Sequence, residues 1–85
     1  MTNFNEADRR KGLLAYTVIL ANGGRHKEAA FLFMEAGKFK DAAREHGEIL
    51  EHEKVLATLY YGGLLNELIV YLEEYGIFHI HWTVR

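Results

Sequence analysis

The chain contains no proline, so its eight glycines alone punctuate 85 residues, and six of them fall at a regular spacing. Gly23-Gly24 returns thirty-nine positions later as Gly62-Gly63, and Gly37 returns at the same offset as Gly76. The flanking residues agree: Leu20 aligns with Leu59, Glu28 with Glu67, Glu35 with Glu74, and Ala29-Ala30 with Leu68-Ile69. Each unit, approximately 14–37 and 53–76, reads as a helix, a Gly-Gly turn, a second helix and a closing glycine.

The apolar periodicity places four helices. The first starts at Asn5, an N-cap residue with Asp8 three positions on, and runs to about Ala21. A second covers Arg25 to Ala36 and is apolar without interruption from Ala29 to Met34. The third follows Lys38 with the stripe Phe39, Ala42, Ala43, His46, Ile49 and Leu50, continuing to Leu56, Ala57 and Tyr60. Gly47 and the off-pattern Glu53 predict a break or kink in it. A fourth spans Leu64 to Tyr75.

The tail changes rhythm. Phe78, Ile80, Trp82 and Val84 alternate with His79, His81, Thr83 and Arg85, the two-residue period of a half-buried strand over 77–84. A lone strand leaves its backbone groups unpaired and needs a neighbour. That neighbour is either Leu14 to Leu20, rich in strand formers, or the same strand of a second copy. The second is favoured, because the glycine alignment makes 14–20 the counterpart of the helical segment 53–59. The expected fold is therefore mainly α: one domain over 1–85, two helical hairpins and a C-terminal strand paired in a homodimer.

Composition narrows function by exclusion. Serine and cysteine are both absent, so no hydroxyl or thiol nucleophile is offered beyond threonine, and no disulfide or thiolate metal site exists. The glycine pairs lack the lysine-serine or lysine-threonine ending of a phosphate loop. Paired carboxylates such as Glu73-Glu74 read as solvated helix faces. An enzyme is not expected, and no cofactor is implied.

Charge is uneven, +3 over residues 1–44 and -5 over residues 45–85, a polarity able to orient a head-to-tail contact. Arg9-Arg10-Lys11 precedes a short apolar run, but Glu6 and Asp8 spoil a secretion signal and the run is too short for a bilayer. A cytoplasmic protein is expected.

The segment from Phe31 through Glu35-Ala36-Gly37-Lys38-Phe39 to Ala42-Ala43 and Leu50 resembles the helix-to-helix junction of tetratricopeptide-type repeats. There an aromatic-bearing helix ends in a glycine turn, an aromatic follows, and alanines allow close packing. Gly24-Arg-His-Lys-Glu-Ala29-Ala30 echoes the junction thirteen residues earlier, so the resemblance covers about residues 24–50. The spacing of thirty-nine, the missing closing proline and the lack of the early tryptophan-leucine-glycine positions depart from that family. The resemblance implies packed helical hairpins offering a groove to a peptide, and no individual binding residue carries over.

The leading expectation is a small protein–protein interaction or adaptor protein. Tyr61, Tyr71, Tyr75, Phe78, Ile80 and Trp82 form a dense aromatic and apolar set of the kind enriched at interfaces, and they are the partner-binding candidates. Two other readings use other residues. His79 and His81 share one strand face and would chelate a borderline metal, though no third ligand is fixed by spacing. Arg9-Arg10-Lys11, Arg25-His26-Lys27, Lys38 and Lys40 would form a basic end for nucleic acid. His46, on an apolar stripe, reads as a core-edge histidine satisfied by a carbonyl or by Tyr60.

Overall fold

A computed structural model of the chain describes residues 5–76. It contains α1 (Glu6–Asn22), α2 (His26–Glu35), α3 (Phe39–Glu48), α4 (His52–Tyr61) and α5 (Leu65–Tyr71), and α5 runs on into a π-helical turn, Leu72–Gly76. The architecture therefore corrects the expected one. Five helices replace four, because the long third helix is two, and the described residues contain no strand. The tail expected as a strand, 77–84, lies outside the described residues. Leu14 to Leu20, its proposed partner within the chain, is helical.

What ends each helix explains the count. Helices α2 to α5 begin at residues 26, 39, 52 and 65, so the working period is thirteen residues, and the spacing of thirty-nine spans three such units. The same turn closes each of α1 to α4. The N–H groups of Arg25, Lys38, Glu51 and Leu64 donate to the carbonyls of Leu20, Phe33, His46 and Leu59, five residues back, at 2.8 to 3.0 Å. One residue earlier, Gly24, Gly37, Leu50 and Gly63 donate to carbonyls three residues back. This is the Schellman pattern, and it requires a left-handed residue after the helix. Gly24, Gly37 and Gly63 supply it with φ of 87°, 76° and 71°.

Leu50 supplies it too, with φ of 60°, as the one non-glycine residue at positive φ among the described residues. The apolar stripe of the third helix continues through this point, and leucine is itself a helix former. The chain turns there all the same, at a backbone cost of roughly 1 kcal/mol or more for a side chain with a Cβ.

At the other end of the chain the local code is conventional. Asn5 is extended, and its Oδ1 accepts the Asp8 N–H at 2.8 Å, which caps α1.

Successive helices pack on one another, α1 on α2 and so on to α4 on α5. Each short turn reverses the chain, since His26 at the start of α2 reaches Glu45 near the end of α3. Alanine sets the spacing. Ala42 belongs to a core with Leu20, Ala29 and Phe33 on the α2 side, whereas its neighbour Ala43 packs with Val55 and Leu59 on the α4 side. Small adjacent side chains thus let α3 sit closely between two helices. Burying each Leu, Val or Phe here stabilises the fold by about 1.5–3 kcal/mol.

Gly62 marks a closer approach. A Cβ at this position would stand 2.5 Å from the Phe39 Cβ and 2.6 Å from its Cγ, so the start of α3 is seated directly against the end of α4.

Two stability changes of opposite sign follow from these turns. Leu50→Gly relieves the left-handed strain at an exposed side chain and is expected to stabilise the fold by about 1 kcal/mol, read as a higher urea midpoint. Gly62→Ala drives a methyl group into Phe39 and is expected to destabilise by about 1–3 kcal/mol in the same measurement.

Candidate interaction site

One concavity of the described residues has an apolar floor drawn from three successive helices. Ala43 of α3, Val55 and Leu59 of α4, and Val70 and Tyr71 of α5 line it, with Leu50 at its edge and Lys40, Arg44, Glu48, Glu67 and Glu74 around the rim. The space is about 470 Å³. Leu50 is 73% exposed, so its strained backbone holds an apolar side chain out beside an apolar groove. A charged rim around an apolar floor is the arrangement found at recognition surfaces.

Histidines organise the same region. His26 and His52 occupy equivalent positions two units apart, each the first residue of its helix. The Nδ1 of His26 hydrogen-bonds Glu45 Oε1 at 2.7 Å, and the Nδ1 of His52 meets the Tyr71 hydroxyl, nineteen residues on in both cases. Glu45 is 4% exposed, a carboxylate taken out of water, and it is seated by this bond and by Arg44 Nε at 3.9 Å. Between the two pairs, Phe39 at the equivalent position faces Gly62. One structural slot therefore alternates between polar and aromatic occupants, and no buried side-chain nitrogen or oxygen of the described residues lacks a partner.

His46 lies at the turn rather than in the groove. Its Nδ1 is 3.2 Å from Glu51 Oε1. These two residues are joined by the backbone bond that closes the strained turn at Leu50, so side chains and main chain lock the same corner. The partner is Glu51, not Tyr60 or a carbonyl. Lys27 and Lys54 approach the other Glu51 oxygen at 3.9 and 3.7 Å. Partial desolvation pushes the Glu51 carboxyl upward, but the bond to His46 and the charges of Lys54 and Lys27 outweigh it and hold the group below its ordinary value of 4.5.

The aromatic candidates separate. Tyr71 is half-buried in the groove wall against His52, with ring centroids 5.9 Å apart. Tyr61 is 75% exposed and forms an edge-to-face pair with Tyr60 at 6.1 Å, away from the groove lining. The Tyr75 side chain, Phe78, Ile80 and Trp82 lie outside the described residues, as do the metal candidates His79 and His81. Among the described residues no three His, Asp or Glu side chains come together as a metal set. Leu50 and Val70 were not among the sequence candidates. The signal that would have found Leu50 is its place in the thirteen-residue period, where its counterparts are glycine.

The basic end is interrupted by carboxylates. Arg25 pairs with Glu28, Lys27 with Glu51, Lys40 with Glu67 at 3.7 Å, and Arg44 with Asp41 at 3.0 Å. Lys27–Glu51 ties α2 to the turn before α4, Lys40–Glu67 ties α3 to α5, and the two leave mixed charge where they lie. No helix of the described residues is long and apolar enough to cross a membrane.

Glu51 sets a pH dependence. A carboxyl held lower in the folded than in the unfolded chain contributes stability above 4.5, and that contribution is lost as pH falls through the lower folded value. The expected outcome is a urea midpoint that drops below pH 4.5, with a smaller drop in Glu51→Gln than in wild type.

Compared with protein-family models, with curated proteins and with solved structures, the chain matches none of them.

Proposed function

We propose that the chain is a non-enzymatic adaptor, a short helical-repeat module whose α3–α4–α5 groove receives an apolar segment of another protein. The observation that carries this reading is Leu50. At three of the four described turns the left-handed residue is glycine, which has no side chain to strain. At the fourth the chain keeps a leucine that is largely exposed and borders an apolar groove. Strain retained without a packing return is the pattern associated with functional positions.

Other features support binding over catalysis. The three histidines of the described residues are engaged in pairs that hold helices and turns together. Serine and cysteine, two of the common acyl-transfer nucleophiles, are absent. The resemblance to tetratricopeptide-type junctions over residues 24–50 agrees with a groove that takes a peptide.

Affinity capture from cells with wild type and with Leu50→Gly, which is expected to be the more stable protein, tests the reading. A partner retained by wild type and reduced at least several-fold by Leu50→Gly would support the groove. Equal recovery by both proteins would remove it, because a more stable variant leaves unfolding no part in the result.

A further inference from the structure

The thirteen-residue period assigns each position in a unit to one of its two neighbours. With units beginning at Leu13, His26, Phe39, His52 and Leu65, the fourth residue faces the preceding helix: Ala29 packs with Leu20 of α1, and Ala42 with Ala29 and Phe33 of α2. The seventh faces the same way, since Glu45 of α3 receives His26 and Tyr71 of α5 receives His52. The first and fifth residues face the following helix, as His26 and His52 show, and as Ala43 shows by packing with Val55 and Leu59.

Applied to the two outermost helices, this assignment identifies their uncovered faces. In α1 the positions that would meet a preceding helix are Tyr16 and Ile19, exposed by 54% and 67%. In α5 the positions that would meet a following helix are Leu65 and Ile69, exposed by 54% and 52%. Their inner counterparts Ala30 and Ala43, equivalent to Ile69, and Ala29 and Ala42, equivalent to Tyr16, are buried. Each end therefore displays apolar side chains at positions that inner units bury. End units of helical arrays ordinarily turn a polar face outward.

Charge has the matching sense. Helix α1 extends seven residues before Leu13 and exposes Arg9, Arg10 and Lys11 there. Glu73 and Glu74 are exposed just beyond α5. Because successive helices reverse direction, an α1 laid on α5 as the next unit brings its basic start beside those carboxylates.

We propose that the chain assembles head to tail, with Tyr16 and Ile19 of one copy packing on Leu65 and Ile69 of the next and Arg9 to Lys11 facing Glu73 and Glu74. Such a contact joins two different surfaces, so it propagates unless the rotation closes a ring. It uses the ends of the stack; Glu74 is shared with the rim of the groove, whereas Leu50 takes no part in the contact.

Ile19→Glu and Ile69→Glu, both at exposed sites, test it on the full chain by sedimentation equilibrium, with helical content checked by circular dichroism. Wild type is expected to rise in mass with concentration above the 9.8 kDa single chain. Each variant alone lacks one of the two required surfaces and is expected to stay at single-chain mass. Their equimolar mixture retains one intact pair of surfaces and is expected to reach twice that mass. Wild type that stays at single-chain mass at high micromolar concentration would overturn the proposal and leave the α5 face to the chain's own terminal residues or to another protein. A mixture that fails to pair, or a single variant that still assembles, would overturn it too. Leu50→Gly is expected to assemble as wild type does, so failure of the groove reading and failure of this one are separable.

Discussion

Everything in this fold follows from one backbone event repeated every thirteen residues: a helix stopped by a left-handed residue whose neighbour's N–H reaches back five positions. The stop satisfies carbonyls that a helix end would leave bare, and it reverses the chain within three residues. Helices of ten residues are too short to be stable alone in water. They persist here because each turn delivers the next helix onto the last, so burial of Ala29, Phe33, Val55 and Leu59 compensates for the weak local preference. A change at the turn therefore acts on two helices and on the interface between them.

The stack is more polar inside than a small helical protein of this apolar content requires. His26–Glu45, His46–Glu51 and His52–Tyr71 all occupy inter-helix or turn positions. Each places a hydrogen bond where neighbouring units place an apolar contact. A buried carboxylate such as Glu45 is costly without its partner, so these bonds penalise helices that slip in register. Alanine pairs would tolerate such slippage, because one small side chain packs much like another. The polar pairs thus bring specificity to a core whose packing alone is permissive.

Leu50 shows the opposite economy. A glycine there would close the turn as well as Gly24, Gly37 and Gly63 do, and the His46–Glu51 bond would still lock the corner. Retaining leucine strains the main chain and exposes apolar surface beside the α3–α4–α5 groove. Neither effect helps the fold, which is why the functional reading rests on this residue. The uncovered ends of α1 and α5 are a separate matter, since there the exposed residues occupy positions that inner units bury.

The sequence by itself determined that the chain is helical and where most helices stop. Asn5 with Asp8, the glycine turns and the alanine pairs are local signals, and local signals survive without knowledge of the rest of the chain. That the third helix is interrupted was legible in Gly47 and Glu53, but the place of the turn was not, because leucine carries no sign of a left-handed backbone and only the surrounding packing imposes it. The groove was not legible either. Its walls come from Ala43, Val55 and Val70 on three different helices, and which face of a short apolar helix is covered depends on which neighbour lies against it. The partners of the histidines belong to the same class: nineteen residues separate His26 from Glu45 and His52 from Tyr71, a distance in sequence that only the stacking of one unit on the next converts into contact.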